Sequence, residues 1–230
     1  MSEVFTSSPA FTALTCLVYA AALGLYKKTG LFFLHPVLVS VAALILILRS
    51  AGIPYEEYNR GGVFISWLLS PAVVALGVSL YREAGQIRKE ARPVILTTVF
   101  GSLVGIISAA VPALLLGSPP EVVISLAPKS ATTPIAMEIA AKLGGVPSLS
   151  AVIVIFTGIL GAVIGPAVLK LLRIAEGAAF GLALGFAAHG IGTARAFEQG
   201  DAEGAFSSLG LCLNGLATSV LTPLVIRLIL

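Results

Sequence analysis

Apolar residues run along this chain in blocks of about twenty, the length that crosses a bilayer's hydrocarbon core as a helix. Eight blocks cover roughly residues 9–26, 32–49, 62–81, 93–116, 120–142, 148–170, 175–196 and 204–229. Short polar turns separate them: YKKTG, RSAGIPYEEYNRGG, YREAGQIRKEARP, LGSPPE, KLGGVP, LRIAEG and EQGDAEG. A block such as SLSAVIVIFTGILGAVIGPAVL, residues 148–169, is apolar on every face. A helix that is hydrophobic all round belongs in a lipid or protein interior, and a soluble domain of this size has no room to bury eight of them. The pattern predicts an all-α polytopic membrane protein, a single membrane domain over residues 1–230.

Three blocks are interrupted. The third carries Ser70–Pro71 near its middle, and the fifth carries Pro128 and Pro134. An interior proline removes one helical hydrogen bond and clashes with the preceding turn. The seventh, AEGAAFGLALGFAAHGIGTARAFE, has glycines at 177, 181, 185, 190 and 192 and polar residues at His189, Thr193 and Arg195. Helix breaks are expected at Ser70, Pro71, Pro128, Pro134, Gly190 and Gly192. Blocks 1–4 and 5–8 have similar spacings, and Ser70–Pro71 corresponds in order to His189–Gly190. This predicts two related halves, 9–116 and 120–229, with discontinuous helices in matching places. Repeated halves with matching broken helices are the sequence mark of a secondary-transporter site.

Composition supports the membrane reading: 57% of residues are hydrophobic and 11% charged, against about a quarter charged in soluble domains. The net charge of +3 is scattered over short loops, which excludes a nucleic-acid surface. Cys16 and Cys212 both lie in apolar runs and read as small hydrophobes. The N-terminus MSEVFTSSPAF has no basic n-region, so no cleaved signal peptide is expected. Trp67, Tyr55, Tyr58 and Tyr81 read as interfacial belt residues. The basic turns YKKTG and REAGQIRKEAR belong in the cytoplasm by the positive-inside rule. Lys170 and Arg173 reach the same side only if one element between 93 and 170 fails to cross, and the doubly broken fifth block is the re-entrant candidate. That scheme ends with Arg227 on the cytoplasmic side.

The candidate chemistry lies at the breaks. A cation at mid-membrane costs about 2.5–3.5 kcal/mol on insertion scales, so Lys129 beside Pro128 is expected to serve an anion. Ser130, Thr132 and Thr133 add donors, and a half-helix starting near Pro134 turns its free N–H groups to the same place. Glu138, one turn on, is a candidate for proton coupling. In the seventh block His189 and Thr193 share a helix face, His189 is a second coupling candidate, and Arg195 can fork onto a carboxylate. The arrangement suits a carboxylate or a phosphate, clamped by Lys129 and Arg195. Asn214 and Thr218, one turn apart in the last block, are placed to hydrogen-bond across to the broken elements. Enzyme motifs of the H-E-x-x-H or G-x-S-x-G kind are absent from the sequence, SLAPKSATT does not match the serine-x-x-lysine order, and no ATP-binding loop is present. No cofactor or metal is expected.

The strings LSPAVVALGVSLY, PKSATTPIAMEIAAKLGG, VIVIFTGILGAVIGP and AAHGIGTARAFEQGDAEGAFSSLGLCLNGLATSVLTP resemble the LrgB/CidB family over nearly the whole chain. The resemblance extends to the second domain of a plant plastidal glycolate/glycerate translocator. It implies a bacterial inner-membrane subunit, commonly a homodimer, partnered with a holin-like LrgA/CidA-type protein. Two functions follow from it: transport of small monocarboxylates such as glycolate, glycerate or pyruvate, with or without a proton, and antiholin-like control of murein hydrolase activity and lysis. The family pattern falls on Pro128, Lys129, Ser130, Thr132, Thr133 and Pro134, and on His189, Gly190, Gly192, Thr193 and Arg195.

Overall fold

The computed structural model describes residues 8–31, 34, 36–82, 84–174 and 176–230. His35, the second histidine of the chain, lies outside them, as does the side chain of Ser70. Among the described residues all regular structure is helical. Among the described residues five helices, Gly177–Phe197 included, are by length and composition fit to cross a membrane, as a multi-pass membrane protein requires. The chain divides into two compact units, Met1–Ala75 and Leu76–Leu230.

The first unit contains α1 (Ser8–Thr29), α2 (Pro36–Ser50), α3 (Tyr55–Gly61) and the start of α4 (Val63–Arg82). Helix α3 forms inside the acidic turn and packs on α1. Phe11 meets the edge of Tyr58 at 5.7 Å, and the Thr12 hydroxyl donates to the Gly61 carbonyl at 2.9 Å. A methyl group at Gly61 would stand 2.5 Å from Phe11 Cδ2, so only glycine admits this contact. Tyr58 is thus a packing residue bonded to Thr15, while Trp67 and Tyr81 are exposed as expected. The break expected at Ser70–Pro71 is not found: α4 runs through Pro71 as one helix. One proline deletes one hydrogen bond, and a twenty-residue helix retains the rest.

The second unit holds α5 (Ala84–Lys89), α6 (Ala91–Leu115), α7 (Pro120–Leu126), α8 (Thr133–Leu143), α9 (Pro147–Leu171), α10 (Gly177–Phe197) and α11 (Asp201–Ile229). Helices α6 and α11 lie side by side and run the same way. Val94 packs with Phe206 at one end, Ser102 bonds Asn214 in the middle, and Ala113 clusters with Val225 and Ile226 at the other.

The fifth block folds as a hairpin. Helix α7 ends at Leu126, residues 127–132 are non-helical, and α8 runs back. The return is fixed by Val146 N–H donating to Ser125 Oγ at 2.7 Å and by Leu143 packing on the cluster that holds Val123 and Ile124. Proline at 128 cannot donate to the Ile124 carbonyl, so α7 cannot continue. Helix α8 closes at Gly144 with φ 87°, a left-handed cap that glycine adopts without strain.

The seventh block also reverses, where the apolar length predicts a crossing. His189 has φ 41° and ψ −130° inside α10, which separates an arm 177–188 from a returning arm 190–197. A methyl group on Gly192 would strike the Leu184 carbonyl, eight residues back, and Ala196 packs with Leu184 and Phe180. A straight helix would hold residues 184 and 192 about 12 Å apart. The twelve-residue first arm rises about 18 Å, a little over half of a 30 Å hydrocarbon core.

The two hairpins enter from opposite ends of the unit. The first is rooted beside Ala113 and Ile229, the second beside Val94 and Phe206. Lys170, Arg173 and Arg195 gather at the second end, where Lys89 and Arg92 flank the start of α6, and the positive-inside rule expects such an end in the cytoplasm. Because α10 returns instead of crossing, Arg227 lies at the end opposite Arg173, which corrects the expected topology. Cysteine placed at Arg173 in intact cells should resist an impermeant maleimide, and cysteine at Arg227 should react. Labelling of both from one side would overturn this arrangement.

Candidate functional site

Both hairpins reach the middle of α11 at Asn214. Asn214 is 1% exposed and bonds to both. Its Nδ2 donates to the Ser130 carbonyl at 2.7 Å and to the Phe186 carbonyl at 3.4 Å. Its Oδ1 accepts from Ser102 Oγ on α6 at 2.7 Å and from Thr218 Oγ1 at 3.3 Å. Asn214 thus reaches across to the broken elements, whereas Thr218 among the described residues bonds only to Asn214, one turn back on its own helix. Ser102 and the two carbonyls were missed. Backbone carbonyls leave no mark in a sequence, but Gly101–Ser102–Gly105 in an otherwise apolar helix is a visible small-residue face. A methyl group at Gly105 would stand 3.1 Å from Ser130 Oγ, so the first tip presses directly on α6.

At the first tip Ala127, Pro128, Ser130 and Ala131 are buried, and Lys129, Thr132 and Thr133 are half-buried. The only hydrogen bond of Lys129 Nζ among the described residues is a long one, 3.5 Å to Ser130 Oγ. No carboxylate lies within ion-pair distance of it among them. Thr132 precedes α8 in extended conformation and its hydroxyl does not cap the helix. The first N–H groups of α8 and the positive end of its dipole are therefore left open four residues after Lys129, whose ammonium group has no acidic partner among the described residues.

At the second tip His189 is 6% exposed. Its Nε2 lies 2.9 Å from the Val154 carbonyl on α9. A carbonyl only accepts, so Nε2 carries the hydrogen. The Thr193 hydroxyl donates to the His189 carbonyl at 2.9 Å and meets Ser207 Oγ at 3.0 Å. A positive φ on a residue other than glycine costs about 1–3 kcal/mol, and these bonds together with the contact on Gly158 hold it. A methyl group at Gly158 would stand 2.5 Å from the imidazole. Gly190 and Gly192 follow in the returning arm.

Two expected members of the site lie elsewhere. Arg195 pairs with Glu198 at the root of the second hairpin and lines a cavity of about 520 Å³ with Lys170, Arg173, Gln199 and Glu203. The structure does not bring it to Lys129; six residues of the returning arm set it about 9 Å from the tip. Glu138 points outward in an ion pair with Lys142 at 3.1 Å, both side chains largely exposed. It borders a second cavity of about 510 Å³ between α8 and the Ser219–Pro223 turn of α11. Among the described residues no cluster of His, Cys, Asp and Glu could hold a metal.

A helical membrane unit with two re-entrant hairpins converging from opposite ends is the class of protein that this geometry defines. The LrgB-like family matches residues 15–228, and the chain belongs to that family. It is 40% identical to YwbG of Bacillus subtilis over 91% of this chain and 93% of the relative. It is 37% identical to a protein of Haemophilus influenzae over 95% of each. It is 33% identical to the antiholin-like protein LrgB of Bacillus cereus over 95% of this chain and 96% of the relative. No solved structure matches the chain.

Proposed function

We propose that this LrgB-like protein is a secondary carrier of small monocarboxylates, glycolate, glycerate or pyruvate among them, in a bacterial cytoplasmic membrane. The observation that carries the reading is that one buried side chain, Asn214, bonds to both opposed hairpins, at Ser130 beside Lys129 and at Phe186. Discontinuous helices that meet at mid-depth are where secondary transporters bind their substrates, with helix N-termini turned to anionic groups. A carboxylate would take Lys129 Nζ as its counter-ion. Ser130, Thr132 and Thr133 supply hydroxyls, and the N–H groups at the start of α8 supply further donors. His189 and Thr193 hold the second tip in place through Val154 and Ser207. Arg195, with Lys170 and Arg173, forms a basic vestibule at the cytoplasmic root of the second hairpin and draws anions towards it. Proton coupling through His189 or Glu138, and a homodimeric state, belong to the same proposal.

A second reading is favoured by the name of the Bacillus cereus relatives: antiholin-like control of murein hydrolase activity and lysis, exerted through a LrgA/CidA-type membrane partner. Liposomes containing only this protein separate the two. Saturable uptake of labelled glycolate or pyruvate, and counterflow after preloading, are expected of the carrier. Uptake indistinguishable from that of empty liposomes for all three acids would overturn the carrier reading and leave the partner-dependent one.

A further inference from the structure

We infer that Asn214 is the positioning residue that couples the two hairpins, so that the space between their tips opens to one face at a time. The inference rests on the carrier reading and deepens it. The orientation of the amide follows from its surroundings. Two carbonyls, of Ser130 and Phe186, can only accept, so Nδ2 must face them, and the Ser102 and Thr218 hydroxyls then donate to Oδ1. The two hydrogens of one Nδ2 thus go to two different hairpins. Among the described residues no other side chain hydrogen-bonds to both.

This sharing has a mechanical consequence. Lifting the first hairpin breaks the bond to Ser130 and leaves Phe186 held; lifting the second does the reverse. Lifting both leaves a buried amide with two unmet donors, which is costly in an apolar interior. The doubly open state, which would leak, is therefore the disfavoured one. The two bonds are unequal. At 2.7 Å the Ser130 bond is a full hydrogen bond, while 3.4 Å to Phe186 is near the limit of one. The second hairpin, rooted at the basic end, is the one released first.

The test uses the full chain with Cys16→Ala and Cys212→Ala, and single reporters Ala131→Cys at the first tip and Gly190→Cys at the second. Ala131 is 1% exposed, and nothing stands within 4 Å of a methyl group at Gly190. An impermeant maleimide is applied to right-side-out and inverted vesicles. With Asn214 present, the first reporter is expected to react slowly. Asn214→Ala should speed its reaction at least tenfold and let both reporters react in one population of vesicles. Asn214→Asp keeps the shape and guards against a failure of the alanine variant to fold. Its ionised carboxylate donates to neither carbonyl, whereas its protonated form donates to one. Its labelling rate should therefore approach that of the Asn214 protein as pH falls, measured as a ratio to Asn214→Ala at the same pH. Lys129 and His189, the titratable groups at the two tips, are common to both variants and cancel in that ratio. Unchanged labelling in both variants, or a ratio indifferent to pH, overturns the coupling. The labelling needs no substrate, so failure of the carrier reading appears separately, as absence of saturable uptake by the unsubstituted protein.

Discussion

Replacing Lys129 with alanine is expected to lower carboxylate uptake about a hundredfold without loss of folded protein. Hydrogen bonds to charged groups contribute about 1.5–3 kcal/mol, a factor of about ten to a hundred and fifty in affinity. The structure also fixes the sign of the effect on stability. Lys129 makes one long bond, to Ser130, and no ion pair among the described residues, so its removal leaves no buried carboxylate without a partner. It relieves the cost of holding a half-buried cation. The melting temperature in detergent should stay level or rise, where a structural lysine would lower it. Arg195→Ala provides the contrast. Its partner Glu198 is largely exposed, and exposed pairs contribute about 0–1 kcal/mol, so uptake should fall less than fivefold. Wild-type uptake by the Lys129→Ala protein would remove this residue from the site.

The two tips were legible in the sequence to different degrees. Pro128 and Pro134 announce the first break, because a residue without an N–H cannot extend α7, and the positions of Lys170 and Arg173 require one element between 93 and 170 not to cross, for which the fifth block is the candidate. The second break was legible only as a place. Glycines at 190 and 192 mark it, but the reversal turns on His189, a residue that rarely takes positive φ, held there by contacts with α9 that no local pattern encodes. A block of apolar residues from 175 to 196 has the length of a crossing, and length alone does not distinguish a crossing from a hairpin. This one ambiguity moved both Arg195 and Arg227: a crossing would carry Arg195 away from Lys170 and Arg227 to the cytoplasmic side. Pro71 shows the opposite failure, a strong breaker that breaks nothing. Its helix has length on both sides to absorb one missing bond, while α7 is seven residues long and has none to spare. Asn214 was legible as a polar residue in an apolar helix. Its bond to Phe186 was not, because that partner contributes only a carbonyl.

Glycine placement in the second hairpin leads to the largest expected effect on stability. Gly181 and Gly185 lie one turn apart on the first arm of α10, facing α11. A methyl group at Gly185 would collide with the Ser207 carbonyl and stand 3.0 Å from Leu211 N; one at Gly181 would collide with the Glu203 carbonyl. The obstacles are backbone atoms of another helix, so no side-chain rotation relieves them. Small residues at such a crossing let two backbones approach, and in lipid this packing replaces the hydrophobic effect as the main source of helix association. Overpacking against movable side chains costs about 1–3 kcal/mol, and here the whole arm must move off α11. Gly185→Leu is expected to cost at least about 3 kcal/mol and to lower the melting temperature by about 10 °C, or to abolish recovery of folded protein by size-exclusion chromatography. The displacement also carries Phe186 away from Asn214, so any protein that survives should lose uptake. Gly190→Ala, at the tip of the same hairpin, is the control: a methyl group there meets nothing within 4 Å, and stability should be unchanged. Equal melting temperatures for Gly185→Leu and Gly190→Ala would show that the first arm does not pack on α11 at this distance, and would remove the support that brings Phe186 to Asn214.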